Sequence, residues 1–110
     1  MQRTSKSPRK VALEALEVAR QTLPAYSHVY SPKKFTQHQL FALLVLKAHQ
    51  KKDYRGLVAL LEDMPQLVAE LELKAVPHYT TIQKASERLL KQDQVQQLLG
   101  TTVERYRKKA

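Results

Sequence analysis

Apolar and polar residues recur with helical periodicity along most of this chain, and the clearest example lies in its second half. Thr80 and Gln83, three residues apart, form a predicted capping box in which each side chain bonds the other's backbone N–H. Behind this cap, Ile82 and Leu89 recur on one face of a helix, and polar side chains occupy the opposite face. The pattern therefore predicts an amphipathic helix that begins at Thr80 and runs to Lys91.

Similar start signals predict two helices in the first half of the chain. Ser7 followed by Pro8 indicates a helix start, because Ser caps well and Pro is favoured at the first helical position. That helix should end near Leu23, just before a proline. Thr36 and Gln39 form a second predicted capping box, and the following helix is apolar on most sides, so we expect it to be the most buried. Two apolar residues flank this box as a predicted hydrophobic staple: Phe35 and Leu40.

Capping residues and prolines also divide the second half of the chain. Asp53 is the predicted cap of a third helix, and Gly56 in its first turn suggests a close approach by another helix. Pro65 then starts a short fourth helix. After the amphipathic helix described above, Asp93 is a predicted cap of a short helix that Gly100 ends, and a basic helical segment follows.

The net charge of the chain indicates a class of binding partner. The chain carries a net charge of +9, from 19 Lys and Arg against 10 Asp and Glu. Such an excess favours a polyanion, most often nucleic acid, although moderately basic surfaces also occur in proteins without such a partner. The acidic residues gather where the sequence has no Lys or Arg, which predicts one basic side and one solvated acidic patch. The acidic residues in question are Glu62, Asp63, Glu70 and Glu72.

No pattern for catalysis or metal binding stands out. The absence of Cys excludes a disulfide framework and a thiolate metal site. His38 and His49 lie about three helical turns apart, too far to share a metal ion. No HExxH motif, Gly-rich phosphate loop or Gly-x-Ser-x-Gly motif occurs. Because no apolar run approaches a membrane span or a signal core, we expect a cytoplasmic protein without a membrane partner.

The polar face of the predicted Thr80 helix has the chemistry to enter the major groove of double-stranded DNA. Gln and Thr bond base edges, and Arg and Lys contact guanine or phosphate. We predict DNA contacts on this helix from Thr80, Thr81, Gln83, Lys84, Arg88 and Lys91. A second set would hold phosphates at the start of the third helix: Lys51, Lys52 and Arg55. The sequence leaves open an ordinary amphipathic helix with a solvated polar face.

Together these elements predict an all-α protein, a small bundle of about five to six helices. Two Gly and five Pro leave little material for β-hairpins. The helix pair after Asp53 and the Thr80 helix have the outline of a helix-turn-helix-like DNA-binding unit. We divide the chain into a basic arm with the first helix (1–24), a helical DNA-binding domain (25–92) and a basic helical tail (93–110).

Three segments in order carry a family resemblance: 30–46 (YSPKKFTQHQLFALLVL), 53–61 (DYRGLVALL) and 76–83 (VPHYTTIQ). Their order and spacing resemble the N-terminal region of bacterial insertion-sequence transposases of the DDE type, over residues 25–92. The resemblance implies that this helical region binds the terminal inverted repeats of a transposable element. It also implies that a following RNase H-like domain holds divalent metal ions on three acidic residues and cuts and joins DNA.

The resemblance does not extend to the catalytic domain of these transposases. No strand with a first catalytic Asp follows the helical region, so we assign no catalytic residue and no cofactor to this chain. We expect no strand cleavage from the chain alone, and the implied divalent metal belongs to the missing catalytic domain. Three alternatives stay open: a small helix-turn-helix regulator of transposition, a helical protein-interaction module that forms a homodimer through its first helix, and a subunit that works with a separate catalytic domain.

Overall fold

A computed structural model of the chain describes residues 7–24 and 36–108, with side chains described to residue 104. Every regular element in these ranges is a helix, which confirms the predicted all-α bundle. The described residues form six helices: α1 (Pro8–Thr22), α2 (Gln37–His49), α3 (Tyr54–Glu62), α4 (Pro65–Glu70), α5 (Tyr79–Leu89) and α6 (Asp93–Lys108). The basic residues at 1–6, the segment 25–35 with the predicted Phe35 staple, and the side chains of the basic end at 105–110 lie outside the described part.

Helix α1 begins as predicted and packs along α2. The Ser7 hydroxyl accepts from the Lys10 backbone N–H at 3.5 Å, and Pro8 is the first helical residue. The apolar face of α1 is fully buried and rich in alanine, which leaves little side-chain bulk between the two helices. Its most buried residues are Val11, Ala12, Ala15 and Ala19. The first helix therefore packs on the rest of the bundle through its alanine-rich face.

Helix α2 is the centre of the bundle, as its apolar composition predicted. It contacts α1, α3, α5 and α6, and residues such as Phe41 and Leu46 have no exposed surface. Both bonds of its predicted capping box are present: Gln39 N–H donates to Thr36 Oγ1 at 3.0 Å, and Thr36 N–H donates to Gln39 Oε1 at 2.8 Å. The Gln39 amide also donates to the carbonyls of Leu71 and Glu72, which fastens the end of α4 to the start of α2.

Helices α2 and α4 end in the same hydrogen-bonded motif. Beyond α2, Lys51 N–H donates to Ala48 O and Lys52 N–H donates to Lys47 O, which is the pairing of a Schellman motif. This motif places its central residue in the left-handed region, and Lys51 has a φ of 55° there. Glu72 takes the same position after α4, with a φ of 63°. Glycine usually occupies such positions, because a Cβ is strained in this conformation.

Helix α3 has the predicted cap but not the predicted neighbour. The Asp53 carboxylate accepts from the Gly56 N–H at 2.7 Å. A Cβ added to Gly56 would lie 3.1 Å from Asp53 Oδ1 and 3.2 Å from Lys52 Cδ. The closest contacts of Gly56 therefore come from the two residues just before α3, whereas the sequence predicted a close approach by another helix.

The start of α5 differs from the predicted capping box. His78 is the cap, because its Nδ1 accepts from the Thr80 N–H at 3.2 Å and lies 2.8 Å from Thr80 Oγ1. The helix therefore begins at Tyr79, and Thr80 lies inside its first turn. Pro77 disfavours helical geometry at Val76, and the extended backbone of His78 lets its ring fold over the free N–H groups of the first turn.

Helix α6 is longer than predicted. Gly100 lies inside it and does not end it, and Asp93 is its first residue rather than its cap. Val95 and Val103, on either side of Gly100, are buried in the core, which includes the packing of α6 on α2. This burial outweighs the helix-propensity cost of one glycine, about 1 kcal/mol.

Candidate nucleic-acid interface

Helix α5 turns its polar face outward, as the sequence predicted. Ile82, Ser86 and Leu89 are buried against the core, and the Ser86 hydroxyl donates to Ile82 O at 2.7 Å, so no buried polar group is left without a partner there. With about 100° of rotation per residue, Lys84 lies on the side opposite Ile82. We call the exposed residues of this side the α5 face: Gln83, Lys84 and Arg88, with Lys91 just beyond the helix.

The remaining predicted contacts on α5 are less exposed. Thr80 and Thr81 are half-buried in the first turn. The Thr80 hydroxyl already bonds the His78 ring, so this side chain has a role in the cap. Glu87 lies on the outer side among the cations and reduces the positive charge there.

The structure brings the start of α3 to the start of α5. The Arg55 guanidinium donates from Nη2 to the Tyr79 hydroxyl at 2.8 Å, and its central carbon lies 4.7 Å from the Tyr79 ring centre. The His78 ring stacks on the Tyr79 ring with their centres 4.7 Å apart. Arg55 therefore lies beside the first turn of the helix that carries the α5 face.

The two lysines before α3 lie at an exposed corner of the bundle. Lys51 and Lys52 separate α2 from α3, and both side chains are exposed. The first N–H groups of α3 are less available than predicted for phosphate binding, because Asp53 already accepts from Gly56 N–H and adds a negative charge. We call Lys51, Lys52 and Arg55 the basic corner; its side chains, more than its helix start, are suited to phosphate contacts.

Charge is distributed differently on the α1 and α4 side. Arg9 donates from Nε and Nη2 to the two carboxylate oxygens of Glu70 at 2.6 and 2.5 Å. Arg20 donates to Glu72 at 3.3 Å. The prediction of an acidic patch without basic neighbours is therefore wrong for these two glutamates, because the fold brings arginines from α1 against them, although the Glu72 side chain stays 70% exposed. The hydrogen bonds that Arg9 donates hold the pKa of Glu70 below its ordinary value, and the same bonds raise the pKa of Arg9.

The cations around α5 have no such partners. Among the residues with described side chains, no carboxylate forms an ion pair with the basic corner or with the α5 face. Their charges are therefore available to an external anion, whereas Arg9 and Arg20 are each paired with a glutamate. Segregation of this kind creates a positive field on one side of a protein.

Sequence reasoning missed two residues at this site, Tyr79 and His78. A histidine directly after a proline is a weak signal for a cap, because His is not among the preferred capping residues. The contact between Arg55 and Tyr79 joins residues 24 positions apart, so only the tertiary structure reveals it.

The described residues include no candidate metal site and no candidate membrane span. In the ranges 7–24 and 36–108, no group of three or more His, Asp or Glu side chains is placed to hold a metal ion. No helix in the same ranges has the length and apolar character needed to cross a membrane.

Comparison with known proteins gives no relative for this chain: no protein-family model, curated protein sequence or solved structure matches it.

Proposed function

We propose that this chain binds double-stranded DNA through the α5 face and the basic corner. In this proposal it acts as the N-terminal domain of a DDE-type transposase and recognises the terminal inverted repeats of the element. The sequence support is the resemblance of segments 30–46, 53–61 and 76–83 to that family. The structural observation that carries the proposal is the cluster of exposed cations around α5, none of which forms an ion pair with a described carboxylate.

The dimensions of α5 suit insertion into a major groove. At about 1.5 Å per residue its 11 residues are about 16 Å long, and a helix with its side chains is about 10–12 Å across, close to the groove width of about 12 Å. Gln83 is exposed on this helix and can form two hydrogen bonds to adenine, and Arg88 can form two to guanine. These two residues are therefore our choice for base contacts.

The lysines and Arg55 would contact the DNA backbone. Lys84 and Lys91 lie on the α5 face, and the basic corner adds positive charge at the neighbouring end of α3. Each phosphate that a cation neutralises releases bound counterions. The logarithm of the binding constant should therefore fall with the logarithm of the salt concentration, with a slope of about 0.9 per phosphate contact. These contacts supply affinity and orientation, and the base contacts supply sequence preference.

We assign α3, α4 and α5 to a helix-turn-helix-like unit in which α3 supports α5. The packing of α3 on α5 supports this assignment. The connection between α4 and α5, residues 71–78, is longer than the turn of about 3–4 residues in the standard motif. We therefore expect α5 to be the inserted helix and α3 to fix its angle to the DNA.

A fluorescence-anisotropy titration tests the proposal. The chain is titrated with a duplex that carries an end of the element encoding it, and with a scrambled duplex of equal composition, at low and high salt. We expect tighter binding to the end duplex, and a preference that persists at high salt. Equal affinity for both duplexes that disappears with salt would contradict recognition of the ends.

A pair of charge-matched variants locates the contact. Lys84→Ala with Arg88→Ala should weaken binding to the end duplex by about tenfold or more, because a phosphate contact and a base contact are lost. Lys10→Ala with Arg20→Ala removes the same formal charge from α1, which packs on α2, and should change the affinity by less than about twofold, because Arg20 is already paired with Glu72. Equal losses in both variants would contradict the role of α5.

A further inference from the structure

The contact between Arg55 and Tyr79 is formed by two exposed or half-exposed side chains on different helices. Arg55 is the second residue of α3, and Tyr79 is the first residue of α5. Tyr79 holds the guanidinium in two ways, by accepting a hydrogen bond at 2.8 Å and by presenting its ring 4.7 Å away. The His78 ring stacks on Tyr79 in turn, which restricts rotation of the tyrosine.

The position of Tyr79 places Arg55 beside one edge of the α5 face. Residues four apart on a helix are neighbours on its surface, so Tyr79 lies next to Gln83. Lys84 and Arg88 extend along the adjacent row of the same helix. The held guanidinium is therefore near the residue that we assign to an adenine contact.

The arginine keeps most of its hydrogen-bonding capacity for another partner. Its guanidinium has five N–H donors, and Tyr79 takes one of them. Within the part of the chain whose side chains are described, no carboxylate bonds Arg55. An exposed, oriented guanidinium that lacks an internal acid is suited to a phosphate, which accepts two parallel N–H bonds.

We propose that Tyr79 is a positioning residue that orients Arg55 to bind one DNA phosphate next to the bases contacted by Gln83. This inference rests on the proposed function and adds Tyr79 to the residues predicted from the sequence. The physical basis is preorganisation: a long side chain that is already fixed loses less conformational freedom on binding. A purely structural contact would instead link α3 to α5 and have no separate effect on DNA affinity.

A double-mutant cycle on end-duplex affinity tests this inference. Tyr79→Phe removes the hydroxyl acceptor and keeps the ring. It should weaken binding by roughly fivefold, because the arginine keeps its charge but loses its fixed orientation. Arg55→Ala should weaken binding and lower the salt slope by about 1, as expected for one lost phosphate contact. In the Arg55→Ala background, Tyr79→Phe should have no further effect on affinity.

A second substitution separates orientation from charge. Arg55→Lys keeps the positive charge but lacks the planar fork, so we expect weaker binding to the end duplex with an unchanged salt slope. Thermal unfolding of each variant reports on the fold and should show that the Tyr79→Phe effect on affinity exceeds its effect on stability.

The outcomes distinguish the two proposals. An equal loss of affinity from Tyr79→Phe with and without Arg55, or no loss in either background, would overturn the positioning role and leave DNA binding intact. Absence of end-duplex binding by the unmodified chain would overturn both. A loss from Tyr79→Phe that depends on Arg55 supports the positioning role.

Discussion

At the residue scale, the cap of α5 illustrates how a local signal can mislead. Thr80 and Gln83 satisfy the pattern of a capping box, yet His78 occupies the cap position and bonds the Thr80 N–H. The extended backbone of His78 brings its ring close to the first N–H groups, so the helix starts at Tyr79, one residue before the predicted cap. At Ser7, Thr36 and Asp53 no such competitor exists in the described residues, and the side chain expected from the sequence forms the cap.

Lys51 shows strain at the scale of a single residue. Its φ of 55° is in a region that costs a non-glycine residue about 1 kcal/mol or more. We predict that Lys51→Gly raises the free energy of unfolding by about 0.5–1 kcal/mol, since glycine adopts this conformation without strain but loses more entropy on folding. Urea unfolding followed by circular dichroism measures this change.

The neighbouring lysine provides the control for that substitution. Lys52 does not share the positive φ, so Lys52→Gly should lower the free energy of unfolding. Both variants should bind DNA more weakly, because each removes a cation from the basic corner. A loss of stability in Lys51→Gly as large as that in Lys52→Gly would contradict the account of strain.

At the element scale, α6 continues through a glycine because residues on both sides of that glycine pack in the core. Gly100 has no heavy atom within 4 Å of the place where a Cβ would lie. We predict that Gly100→Ala stabilises the protein by about 1 kcal/mol, because alanine has a higher helix propensity. The melting temperature should rise by about 4–8 °C, as measured by thermal unfolding.

The other glycine supplies a matched control, because it also lies in a helix. A Cβ on Gly56 would meet Asp53 Oδ1 at 3.1 Å, and that carboxylate is held in place by its capping bond. Gly56→Ala should therefore stabilise less than Gly100→Ala. If the two substitutions had equal effects, neither the open space at Gly100 nor the crowding at Gly56 would govern the result.

The helices were predictable from the sequence to different degrees, for physical reasons. Periodicity and caps identified α1 to α4 well, because Pro8, Asp53 and Pro65 act on their immediate neighbours. The continuity of α6 was not predictable, because the compensation for Gly100 comes from packing on another helix. Helix propensity is a weak signal wherever tertiary packing opposes it.

At the scale of the whole molecule, the sequence predicted which side chains of α5 are exposed but not how charges are paired. The exposed row of α5 follows from the helical period alone. The bond between Arg9 and Glu70 spans 61 positions, and the bond between Arg55 and Tyr79 spans 24. Only the arrangement of helices around α2 places these residues together. The placement of unpaired cations on one side of the molecule, on which the DNA-binding proposal depends, is therefore a property of the fold and not of any one segment.

The ion pair between Arg9 and Glu70 makes stability depend on pH. The hydrogen bonds from Arg9 lower the pKa of Glu70 in the folded state, so its contribution is present above the unfolded pKa and is lost as pH falls through the folded pKa. Glu70→Gln should therefore be less stable than the unmodified chain at about pH 7, and the difference should shrink towards about pH 3. Urea unfolding across this pH range measures the difference in the free energy of unfolding.

In an Arg9→Met background, the effect of Glu70→Gln on stability should no longer depend on pH. Without the arginine, the pKa of Glu70 is no longer lowered in the folded state relative to the unfolded state. A difference that persists unchanged with pH would assign the effect of Glu70 to packing at the end of α4.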